Sequence, residues 1–115
     1  MSDELDRDQV WKDFNGAVNM TPTALEKWLR TTESRESGWA KHDGDETTGH
    51  QSGRRIVEIK RKRKADLTDQ DYEHMRKVVG YIHRHSKQGG PRDDKKHSPW
   101  RYSLMNWGHD PLQKS

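Results

Sequence analysis

Cysteine is missing from all 115 residues, which excludes disulfides and thiol chemistry and removes the commonest cage ligand for zinc. Apolar residues are scarce, at 27 %, and charged residues make up 36 %. The mean hydropathy of −1.43 places the chain near the border where burial no longer offsets conformational entropy. No apolar run approaches the ~18 residues that span a bilayer, and the opening MSDELDRD has no signal-peptide core. The expected compartment is therefore the cytoplasm, or the nucleus in a eukaryotic source, with no membrane partner. Strand alternation, internal repeats and a glycine-rich phosphate loop are absent too.

Against this scarcity stand five Trp, three Tyr and one Phe. Each large ring removes roughly 150–250 Å² from water when buried, enough for a small core. Their spacing is helical. Val10, Trp11, Phe14, Ala17 and Val18 predict a helix over 7–18. Thr21-Pro22 reads as an N-cap and first turn, followed by Leu25, Trp28 and Leu29 on a helix over 22–31. Ile56, Val57 and Ile59 are the buriable residues of a third helix, 53–64. Thr68 caps the strongest helix, 69–87, with Asp71 at the capping-box position and Tyr72, Met75, Val78, Val79 and Ile82 on a broad face. Gly80 in its middle costs roughly 1 kcal/mol against Ala and predicts close approach of another element. Ser98-Pro99 opens a last helix, 99–107, carrying Trp100, Leu104 and Trp107 on one face.

The fold expected is all-α: a compact bundle of about five helices over 7–112, preceded by a flexible acidic stretch, 1–6. Residues 32–51 read as a long polar loop between the second and third helices, and 88–97 as a linker. Trp39 stands alone in that loop, either pinning it to the core or offering its ring to a partner. The other four tryptophans lie on apolar stripes and are assigned to the core.

No catalytic constellation emerges. Ser, His and Asp occur without an elbow or cleft signature, and the seven histidines match neither HExxH nor EF-hand spacing. The chain reads as a non-enzyme, with no cofactor, no metal and no small-molecule substrate. Charge is the informative feature. Residues 1–13 hold five acids against two bases, a net of −3, whereas residues 54–64 hold seven bases against Glu58, a net of +6. Arg54, Arg55, Lys60, Arg61, Lys62 and Arg63, widened by Arg76, Lys77 and Arg84 on the next helix, are the candidate contacts to DNA or RNA phosphates, largely independent of base sequence. The alternative is a protein-interaction module that meets an acidic protein partner with the basic helix and the 32–51 loop. A solvated face balanced by Glu58, Asp66 and Asp69 is the plain reading of the same run, and KRKRK also fits a nuclear import signal.

The phrases VNMTPTALEKWLRTTES, GHQSGRRIVEIK, LTDQDYEHMRKVVGYIHRH and WRYSLMNWGHDPL resemble a family catalogued as domain of unknown function 3140, over about residues 10–112. The resemblance implies small microbial proteins, some labelled DNA-binding, and brings no catalytic residues. A much weaker similarity, in TPTALEKWL, loop and SGRRIVEIKRKRK, is to the helix-extended loop-helix plan of SAP modules. It implies a small DNA-binding unit.

Overall fold

The computed structural model describes residues 6–37 and 46–113. The expected flexible start and Trp39 therefore lie outside the described residues, except that Asp6 accepts from the Gln9 amide and caps the first helix. Six α-helices follow in order: α1 (Arg7–Ala17), α2 (Pro22–Leu29), α3 (Thr32–Glu36), α4 (Thr48–Arg61), α5 (Asp69–Ser86) and α6 (Pro99–Asn106), with a 3-10 turn at Lys64–Asp66. The described residues contain no strand. The all-α bundle expected from helical periodicity is what the chain forms.

Three of the six helix starts use the caps expected from the sequence. Thr21, Thr68 and Ser98 each accept from the backbone amide three residues on. Asp71 returns the favour to the Thr68 amide and completes the capping box.

The expected loop over 32–51 needs correction. It contains α3 and gives its last four residues to α4, whose cap is Thr47. These additions escape a periodicity argument because polar contacts hold them instead of apolar ones. Asn106 on α6 is fully buried. Its Oδ1 accepts from Trp28 Nε1 (2.7 Å) and Ser34 Oγ (2.5 Å), while its Nδ2 donates to the Ser34 carbonyl (3.0 Å). One amide thus fastens α2 and α3 to α6. The early turns of α4 seat through small residues: a Cβ on Gly53 would stand 2.6 Å from the Asn106 carbonyl oxygen and from a Leu29 methyl.

The basic helix is also displaced. It was expected over 53–64 and runs Thr48–Arg61. Lys62 and Arg63 are extended, and the chain doubles back so that Leu67 reaches the core and Thr68 can cap α5. Two helix pairs form the body, α2 with α4 and α1 with α5, and α6 packs against α2, α3, α4 and α5. Phe14, Leu25, Ile56, Met75, Val78 and Leu104 are almost wholly buried between them.

The tryptophans divide differently from expectation. Trp107 is buried, 6 % exposed, and stacks on Tyr81 at 4.3 Å. Trp11, Trp28 and Trp100 are half-buried and cover the core from outside. Trp28 and Trp100 use that position to satisfy their ring N–H, on Asn106 and on the His85 carbonyl (2.9 Å).

Candidate nucleic-acid interface

The bases singled out in the run 54–64 do not stand as a free row. Arg54 grips Glu46 with Nε (2.7 Å) and Nη2 (2.5 Å). Arg55 and Lys62 both hold Asp71, at 3.0 and 2.8 Å. Arg61 holds Glu26 at 2.9 Å and Arg63 holds Asp66 at 3.0 Å. Lys64 reaches Asp8 at 3.2 Å and lies over the Trp11 ring. Lys60 turns inward, donates to Asn15 Oδ1 at 3.2 Å and sits over Phe14. Burial lowers its pKa.

Six of the seven bases therefore face a carboxylate. Their strengths differ. Asp71 is 2 % exposed. Burial alone would push its pKa up, yet the hydrogen bonds from Lys62, the Thr68 amide and Arg55 prevail and hold it far below the ordinary carboxylate range. Arg55 and Lys62 thus compensate a buried charge and brace the start of α5. The Arg54, Arg61 and Arg63 pairs are exposed, of the kind worth about 0–1 kcal/mol and open to exchange with phosphate. Of the local acids expected to balance the run, Asp66 does so, whereas Asp69 pairs with Arg7.

On α5 the situation reverses. Residues 74–92 contain five bases, Arg76, Lys77, Arg84, Lys87 and Arg92, and no acid. That gap in the acids is the sequence signal pointing here, and it brings in Lys87, which charge-run counting overlooks. Arg76, Lys77, His83, Arg84 and Lys87 are all exposed. At 3.6 residues per turn they fall within an arc of roughly 120°, and Arg76 to Lys87 spans about 16 Å. Among the described residues none of the four bases has an ion-pair partner, and Glu73 stands at the N-terminal end of the stripe. Gly80 lies in the middle of it. No second helix approaches that glycine, contrary to expectation. The nearest atoms belong to Arg84, whose Nη1 would lie 3.0 Å from an added Cβ. The guanidinium folds back over the glycine.

Beside the stripe, α4 and α5 enclose a cleft of about 390 Å³ lined by Thr48, Gln51, Ser52, Arg54, Arg55, Glu58, His74, Lys77 and Trp107. Of the candidate contacts it unites Arg54, Arg55 and Lys77; Arg76 stands outside it. His74 is tied to Ser52 across the helices at 3.0 Å. Burial first, then the nearby charges of Arg55 and Lys77, lower its pKa, so it is neutral at pH 7. The Ser52 hydroxyl is itself buried, and the pair serves as a hydrogen-bonded tie at the base of the cleft.

Fold and surface together define a small all-α domain with an exposed basic stripe on α5. The chain belongs to the family described as "Protein of unknown function (DUF3140)", whose model matches residues 13–105. No curated protein and no solved structure matches it. The SAP likeness is not shown, and α3 interrupts the connection that such a plan keeps extended. No helix among the described residues is long and apolar enough to cross a membrane, and none of their side chains form a cluster suited to a metal ion.

Proposed function

We propose that this protein binds DNA or RNA without catalysis, through phosphates and largely independently of base sequence, with the outer face of α5 as its principal contact. The observation that carries the reading is the contrast between two basic elements. The bases of the α4 run are mostly engaged by carboxylates, whereas Arg76, Lys77, Arg84 and Lys87 form an exposed stripe free of ion pairs among the described residues. Its 16 Å length is about half a turn of duplex, and arginine adds bidentate phosphate geometry. Arg54 and Arg61, released from exposed partners, extend the contact, and Arg55 and Lys77 meet at the α4–α5 cleft. Arg63 lies further along the same run, and Lys60 supports it from within.

Titration of random-sequence duplex at several salt concentrations tests the reading. Four neutralised phosphates at about 0.9 each give a slope of roughly −3 to −4 in log K against log salt. Arg76→Ala with Lys77→Ala lowers affinity about tenfold or more, at roughly 1 kcal/mol or more per charged contact. Arg54→Ala with Arg61→Ala removes the same charge and lowers it only a few-fold. Binding that is absent at low salt, or indifferent to salt, overturns the assignment.

A further inference from the structure

We infer that the groove between α2, α3 and α4 docks an acidic amphipathic helix of a partner protein. It is an open channel of about 660 Å³ on the side of α4 away from α5. Leu29 and Val57 form its floor, with Arg54, Arg61 and Lys62 on one rim and Arg30 and Arg35 on the other. Glu26 and Glu58 are the acids of the lining, against those five bases. Both rims are thus cationic and the floor between them is apolar.

The dimensions select a helix. On α4 the lining recurs at His50, Arg54, Val57, Glu58 and Arg61, spaced i, i+4, i+7, i+8 and i+11, so the groove follows three turns, about 17 Å. A docked helix of about eleven residues has that length. Its apolar line meets the floor, and carboxylates on both flanks meet the two rims, the usual complementarity of a helix in a groove.

The rims already show how they take carboxylates. Glu26 bridges Arg61 at 2.9 Å and Arg30 at 3.7 Å, and Glu46 receives two hydrogen bonds from Arg54. These side chains are posed for carboxylate oxygens, and exposed pairs exchange at little cost. Arg35 is exposed and holds no acid among the described residues. A nucleic-acid backbone has charge for the rims but no apolar line for the floor, so the groove favours protein. Arg54 lines both this groove and the α4–α5 cleft, so the two surfaces are told apart by Arg30 and Arg35, which line only the groove.

The test uses a fluorescein-labelled synthetic helix of about sixteen residues, with Leu along one face and Glu on both flanks. The full chain binds it saturably with Kd on the order of 10–100 µM, and amide shifts in the protein centre on Leu29 and Val57. Arg30→Glu with Arg35→Glu, both exposed positions that leave the core intact, weakens binding tenfold or more without changing duplex affinity more than a few-fold. Replacing the peptide's Leu by Ser weakens it similarly. Absence of saturation, indifference to the double reversal, or shifts confined to α5 overturn the proposal. So does displacement of the peptide by duplex that is itself lost in the double variant, which assigns the groove to nucleic acid and leaves the phosphate reading standing. Failure of the duplex titration alone leaves the groove untouched.

Discussion

Asn106 and Asp71 are the two buried polar side chains on which the rest depends, and they fail differently. Asn106 joins three helices through an amide that accepts from Trp28 Nε1 and Ser34 Oγ. Asn106→Leu strands those donors in the interior at about 1–3 kcal/mol each, so urea unfolding should show a loss of roughly 3 kcal/mol or more. A loss below 1 kcal/mol would show that the donors find other acceptors. Asp71 instead makes stability depend on pH. Its carboxyl is held below its unfolded value near 3.9. The contribution is therefore complete above that pH and drains away as pH falls toward the lower folded value. Asp71→Asn removes it, so the variant is less stable at pH 7, and the gap to the native chain narrows steadily as pH falls below about 4. Thermal melts across that range read both curves, and parallel curves would contradict the assignment.

At the scale of elements, two helix glycines respond oppositely to the same substitution. Gly53→Ala drives a methyl against Leu29 and the Asn106 carbonyl, where a backbone atom has no room to yield; overpacking of this kind costs about 1–3 kcal/mol. Gly80→Ala meets only the flexible end of Arg84 and should stabilise α5 by about 0.5–1 kcal/mol. Paired urea titrations check the signs, and two changes of the same sign would refute this account of the sites. These elements also show what a sequence makes legible. The helices α1, α2, α5 and α6 announce themselves through apolar period and caps, because each buries a stripe. The short α3 and the first turns of α4 have almost no apolar residues. Ser34, Thr47, Gly49 and Ser52 are buried, through hydrogen bonds and small size that leave no periodic trace. Of the candidate site, the residue types were readable and the pairing was not. Charge runs along the chain do not reveal that Glu26, Glu46 and Asp8 fold back onto it from other elements.

Across the whole molecule, charge is sorted by helix face. Bases of the α4 run are mostly engaged within the fold, while those of α5 face outward, and the arginine-rimmed groove lies along another face of α4. The body of the bundle is two helix pairs spanned by α6. Trp107, stacked between Tyr81 at 4.3 Å and His74 at 6.4 Å, carries much of that closure. Trp107→Ala should cost about 3–5 kcal/mol, a large share of the total for a domain of this size. A melt lowered by only a degree or two would show that α6 is dispensable to the fold.

The position of α6 along the chain has a consequence for how the molecule is made. Synthesis runs from the N-terminus, so the helix that touches four others leaves the ribosome after the other five described helices. Until residues 99–107 emerge, Asn106 is not there to receive Trp28 and Ser34, and α1 has already waited through three intervening helices for α5. A nascent chain halted at residue 97 should therefore be cut readily by added protease within α2 and α3, and one with residues 99–107 outside the ribosome should resist there. The bundle is locked by its sixth helix, and each earlier helix stays exposed to cellular chaperones until that helix arrives.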